Sequence, residues 1–212
     1  MARSFMGASD IFDESDALAE ELLAVIDLPI INDSPKIRTS DVACSLVLEH
    51  WHSARALPRR GLLPSAVVVH RAQFEALTRS IWLAYAASDE GAAKLTAMLS
   101  LESEQMAKNM AQMAEMMQDL AKRAPPQAYE ALSRFKDNSW EALNSYAHAG
   151  LHPIRQHHDG YPFKLLHDVL RNANGLGIMS CMQAVVLSAQ QQLQRVLLEV
   201  TSKHSTCTPA PL

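Results

Sequence analysis

Glycine, aromatic residues and cysteine are scarce in this chain of 212 residues, which has seven glycines, 6% aromatic residues and three cysteines. Good helix formers such as Ala, Leu, Met, Glu and Gln are plentiful instead, which argues against a sheet-rich fold. Because 48% of the residues are hydrophobic and 20% are charged, a folded core is expected. We therefore predict an all-α, single-domain helical bundle of five to seven helices over residues 1–200, followed by a flexible tail over residues 201–212.

The three cysteines, Cys44, Cys181 and Cys207, are widely spaced and form no Cys-x-x-Cys pair. Their odd number and spacing argue against a disulfide framework and a thiolate zinc site, and fit a reducing compartment. No segment reaches the roughly 18 uncharged apolar residues of a membrane span, and the early acidic residues do not fit a signal peptide. The sequence therefore predicts a cytoplasmic protein that does not enter a membrane.

Positive charge does not dominate the chain either. The net charge of −4 gives no general attraction to nucleic acid, which requires clustered Lys and Arg, although a small local phosphate site is compatible with it. The sequence has no phosphate-binding glycine loop and no Gly-x-Ser-x-Gly nucleophile elbow. Common enzyme signatures are thus absent, and no cofactor is expected.

Proline and glycine breaks divide the chain into predicted helices. Two glycines in the segment Asn172–Gly177 indicate a kink or a close helix contact, and residues 150–162 are expected to form a polar loop. The pattern over 89–123 contains no proline and predicts one unusually long helix. The predicted helices cover about 9–26, 40–57, 64–87, 89–123, 126–136, 138–148 and 163–200.

An apolar stripe rich in methionine runs along the predicted long helix. Its members are separated by seven, four, three, four and three residues, which keeps them on one face. Methionine adapts to imperfect interfaces, so the stripe fits the seam of a homodimer or a partner protein; it fits an ordinary core stripe equally well. The stripe consists of Leu99, Met106, Met110, Met113, Met117 and Leu120.

Arg71, Glu75 and Arg79 are spaced four residues apart and so project from one side of the helix predicted over 64–87. Two interpretations are open. The three residues form an exposed ladder of ion pairs, or they lie in a semi-buried pocket. In a pocket, two guanidiniums can hold one carboxylate and still offer donors to an anionic ligand.

The segment from Asn144 to Pro153 places Tyr146 and His148 at a helix end beside a glycine turn. His148 is a candidate acid or base because its ordinary pKa lies near neutrality; the alternative is a purely structural histidine at the helix end. We predict that His148 and Tyr146 meet the Arg71, Glu75 and Arg79 ladder in space. His148 and His152 are four apart, but no acidic partner follows and the glycine turn should separate them, so no metal site is expected.

The two segments that contain the ladder and the Tyr146 to Gly150 turn resemble bacterial helical families of unknown function that are grouped loosely with HEPN-type domains. The resemblance covers roughly residues 60–200. It implies a helical bundle, often dimeric, of a kind that includes RNases of bacterial defence systems. The usual signature of those RNases, an Arg followed four to six residues later by His, is not found in this sequence.

Three functions follow as hypotheses. The first is a noncatalytic protein that acts by self-association or partner binding, in a bacterial defence or stress module. The second is a metal-independent RNase with His148 as acid or base and Arg71 and Arg79 as phosphate ligands. The third is a sensor that binds an anion through Arg71, Glu75, Arg79, Tyr146 and His148 without chemistry.

Overall fold

The computed structural model of the protein describes residues 9–98, 100, 101, 103, 105 and 110–210, with the backbone alone at residues 9 and 10. These residues form nine α-helices, two short 3-10 turns and no strand, which confirms the all-α class but exceeds the predicted five to seven helices. None of the described helices combines the length and apolarity needed to cross a membrane. The helices are α1 (Ser9–Val25), α2 (Pro35–Arg59), α3 (Leu63–Tyr85), α4 (Asp89–Leu95), α5 (Met113–Arg123), α6 (Pro126–Ala147), α7 (Leu151–Asp159), α8 (Phe163–Leu187) and α9 (Gln194–Lys203).

Helix α3 lies at the centre of the bundle, where it contacts α2, α5, α6 and α8. Its apolar residues Phe74 and Leu77 are fully buried. Helix α8 passes Trp51 of α2 so closely that a Cβ atom at Gly177 would lie 2.3 Å from the indole ring. The predicted close contact at Gly177 is therefore confirmed, and α8 continues through the segment that the two glycines were expected to interrupt.

The single helix predicted over residues 89–123 is wrong. Helix α4 ends at Leu95 and α5 begins at Met113; between them residues 101, 103 and 105 are helical, whereas residues 96–98 and 110–112 are not. Polar side chains bind the local backbone at new helix starts instead of extending α4: the Ser103 hydroxyl accepts a hydrogen bond from Ser100 N at 2.8 Å, and the Glu115 carboxylate accepts one from Gln112 N at 2.9 Å. Such bonds compete with the helical pattern and favour helix ends, which a count of helix formers overlooks.

Two further boundaries differ from the prediction. Residues 126–147 form one helix, so the break expected near Asn138 is absent. The loop expected over 150–162 contains α7, in which Pro153 lies in the first turn, where a missing N–H is tolerated. The turn between α6 and α7 closes with a bond of 2.7 Å from Gly150 N to the Ser145 carbonyl, while Ala149 has a positive φ of 49°.

The segment expected to be a flexible tail is packed against the bundle as far as residue 209. Helix α9 extends to Lys203, and both ring nitrogens of His204 face carboxylates of α1, Glu14 at 2.8 Å and Glu21 at 3.1 Å. The Cys207 carbonyl accepts a bond of 2.8 Å from Asn174. Cys207 is a buried free thiol, as are Cys44 and Cys181.

Candidate functional site

A groove of about 530 Å³ opens beside the middle of α3, between α2, α5 and α6. Its centre carries the three residues of the predicted ladder, since Arg71, Glu75 and Arg79 lie on successive turns of α3. The ladder is thus neither fully exposed nor fully buried. The other lining residues are Ala43, Leu46, His50, Ala72, Ala76, Gln112, Met113, Met116 and Trp140.

Arg71 is held by an ion pair and by an aromatic ring. Its Nη2 lies 2.9 Å from Glu75 Oε1, and its guanidinium carbon lies 5.1 Å from the centroid of Trp140. The stacked indole favours a planar cation at this position. Its Nε is buried and has no hydrogen-bond partner within the described part of the chain. The fold therefore leaves this buried N–H of Arg71 without a described acceptor.

Arg79 makes fewer and weaker interactions than Arg71. Its Nη2 donates a long bond of 3.5 Å to the Ala111 carbonyl, and its buried Nη1 has no partner among the described residues. Burial lowers the pKa of Arg79, and the charge of Glu75 opposes that shift. Because arginine stays protonated in proteins, the guanidinium remains a partly desolvated cation without an ion pair of its own among the described contacts.

The side chains predicted to join this ladder lie elsewhere. His148 is exposed at the C-terminal end of α6, and it neither lines the groove nor makes a side-chain hydrogen bond to any described residue. Tyr146 is buried and bonds to Gln156 of α7. Helices α3 and α6 are antiparallel, with Tyr85 near Ala128 and Arg71 near Trp140. Eight residues separate Trp140 from His148, a distance of about 12 Å along the helix.

The groove contains two aromatic side chains that sequence reasoning did not select, His50 and Trp140. His50 follows Leu46 by one turn of α2, so the two share one face. Trp140 follows Phe135 in α6, and both rings contact Phe74 of α3, with centroid separations of 5.9 and 4.7 Å. A continuous α6 would have been the signal for Trp140, because an unbroken helix that packs along α3 at Phe135 also brings Trp140, one to two turns later, beside α3.

The methionine stripe is divided between the core and the site. Met117 and Leu120 are buried, and Met113 packs against the same core cluster. Met110 lines a smaller cavity of about 290 Å³ on the far side of Arg79, while Leu99 and Met106 lie outside the described residues. The C-terminal half of the stripe therefore supplies intramolecular packing, the second of its two interpretations.

Fold and groove together define an all-α protein with an arginine-lined cleft on its central helix. Residues 44–210 match a family of unknown function, DUF6988, and the chain belongs to that family. The matched range includes all the charged residues of the groove. No curated protein and no solved structure matches the chain.

Proposed function

We propose that this chain is a noncatalytic binding protein that holds an anionic group in the groove on α3. One observation carries the proposal: the partly buried guanidinium of Arg79 lines the groove and has no ion pair of its own among the described residues. Buried polar groups are nearly always hydrogen-bonded, and an unpaired buried cation is unfavourable. An anion in the groove would supply the missing charge by pairing with the guanidiniums that line it.

The RNase hypothesis has less support than simple binding. It requires an acid or base next to the phosphate ligands, and His148 lies outside the groove that contains Arg71 and Arg79. His50 does line the groove, but a nucleophile and a positioned acid and base pair would both be needed for catalysis. Binding without chemistry needs only the arginines.

Three broader hypotheses remain predictions that the groove does not address. They are a cytoplasmic location, a role in a bacterial defence or stress module, and self-association or partner binding. The packing of Met113 and Met117 in the core removes part of the surface on which a dimer was expected. If the concentration of the bound anion changed under stress, binding could regulate such a module, because a ligand shifts a conformational equilibrium toward the state that it binds better.

The test compares Arg79→Gln with Arg195→Gln, a matched control on an arginine side chain that is 87% exposed and pairs with Glu199 four residues later. Acetate and inorganic phosphate are added to each protein at constant ionic strength. We expect at least one of the two anions to raise the Tm of the wild type and of Arg195→Gln, because a ligand that binds only the folded state stabilises it. Arg79→Gln should lose that increase. An equal increase in Arg79→Gln would contradict the proposal.

A further inference from the structure

The charges in the groove restrict the charge of its ligand. Arg71 and Arg79 supply two positive charges and Glu75 supplies one negative charge, which leaves an excess of one when His50 is neutral. A ligand with a single negative charge neutralises that excess. A dianion or a polyanion would place a second negative charge beside Glu75, whose side chain is already paired with Arg71 at 2.9 Å.

The rest of the wall is mostly apolar. Met116 is 1% exposed and forms part of the floor, whereas Leu46 is 43% exposed at the mouth. Met113 lies beside them on α5, and methionine side chains adapt to the shape of an apolar guest. The volume of about 530 Å³ is typical of sites for small molecules. The site therefore has room for an apolar group next to the arginines.

We infer that the groove binds an amphipathic monoanion, represented by an aliphatic monocarboxylate, with its head on Arg79 and Arg71 and its tail along Leu46, Met113 and Met116. The inference rests on the proposed function and adds the chemical class of the ligand. The carboxylate pairs with the guanidiniums of Arg79 and Arg71, which line the groove. The tail covers the exposed Leu46 and the partly buried Met113, above the buried Met116.

The test measures the affinity of the full chain for acetate, butanoate, hexanoate and octanoate by calorimetry or by tryptophan fluorescence, to which Trp140 contributes from the wall. Burial of each added methylene should tighten binding about fourfold until the groove is filled. Octanol tests the need for the charge, and succinate and inorganic phosphate test the preference for one charge. We expect all three to bind at least tenfold more weakly than octanoate.

Two variants locate the tail. Leu46→Gln should reduce the gain per methylene and leave acetate binding unchanged. Val42→Gln, a matched control one turn earlier on α2, changes a side chain that is 57% exposed and does not line the groove, so the gain should persist. Met113→Gln repeats the test from α5.

The outcomes separate this inference from the proposed function. If phosphate or succinate binds best, or if chain length has no effect, while Arg79→Gln still abolishes binding, the anion site stands and the amphipathic ligand is overturned. Octanol binding as tight as octanoate binding overturns it too, as does a gain per methylene that survives in both Leu46→Gln and Met113→Gln. If no anion binds in a manner that depends on Arg79, both proposals fall.

Discussion

Two clusters in this molecule use the same chemistry, arginine beside a carboxylate and an aromatic ring, with different results. In the cluster between α1 and α2, Arg55 lies 2.5 Å from Asp16, and Arg59 lies 2.6 Å from Asp16 and 2.8 Å from Asp13. Two cations therefore meet two anions. In the groove, two cations meet Glu75 alone. The charges of the first cluster therefore balance, whereas the second cluster has one positive charge in excess.

An unpaired N–H does not by itself distinguish the two clusters. The buried Nε of Arg55 also has no described partner, although Arg55 Nη1 donates to the Ser15 carbonyl at 3.2 Å and the guanidinium stacks 4.9 Å from Trp51. Charge distinguishes them. Arg55 forms an ion pair with Asp16, whereas Glu75 is paired with Arg71 and acts on Arg79 only through its nearby charge. A functional arginine is therefore better recognised by a missing counter-charge than by a missing hydrogen bond.

The comparison extends to another buried basic side chain, His70, which has no carboxylate in its described contacts. Gln73 donates to the Ala173 carbonyl at 3.0 Å, so its carbonyl oxygen accepts from His70 Nδ1 at 3.1 Å. Burial lowers the pKa of His70 to about 4 from its ordinary value of 6.5, and the bond to Gln73 opposes the shift. The unfolded chain binds the proton more readily, so stability is complete above pH 6.5 and falls toward pH 4.

Among the stability effects predicted here, this one should be the largest: the free energy of unfolding should fall by about 3 kcal/mol between pH 6.5 and pH 4. It is measured as the free energy of unfolding in urea at several pH values between 7 and 4. His70→Asn keeps a donor for Gln73 but does not titrate, so its curve should be flatter than that of the wild type over this range. If the curves of the wild type and of His70→Asn were parallel, His70 would have a counter-charge in the folded protein. Described contacts would then not be enough to identify a buried basic group that lacks one.

The second prediction concerns Arg55, the buried cation of the cluster between α1 and α2. Arg55→Met should lower the free energy of unfolding by about 2 kcal/mol, because it removes the bond to the Ser15 carbonyl, the ion pair with Asp16 and the cation over Trp51. The loss is moderated because Asp16 keeps Arg59. Urea unfolding at pH 7 measures it, and Lys164→Met, on a side chain that is 85% exposed, serves as the control. No loss in Arg55→Met would show that the cluster does not stabilise the fold.

Sequence reasoning located one half of the groove and misplaced the other. The spacing of Arg71, Glu75 and Arg79 is a local property of one helix, so it was predictable without knowledge of packing. The partner across the groove depends on how α6 crosses α3. Because the chain near Asn138 was expected to begin a new helix, Trp140 was not recognised as a neighbour of Arg71.

The same distinction applies to the fold. The all-α class follows from composition and periodicity, which sum over many residues. The end of α4 at Leu95 and the start of α5 at Met113 instead depend on single side chains, such as Glu115 on Gln112 N, that bind the backbone. Single hydrogen bonds of about 1 kcal/mol decide such ends, and composition cannot register them.

The smallest effect on stability should come from the cluster in the groove, and it is the sharpest test of the comparison. Arg79→Met keeps an unbranched side chain for packing beside Met110 but removes a partly desolvated cation whose only described bond is 3.5 Å long. Replacing a poorly compensated charge by an apolar side chain is often neutral or stabilising, so urea unfolding at pH 7 should change by no more than about 0.5 kcal/mol. Anion binding should be lost in the same variant. A loss of stability as large as that of Arg55→Met would mean that Arg79 has a counter-charge within the folded chain, and the groove would then be a second structural cluster with no vacancy for a ligand.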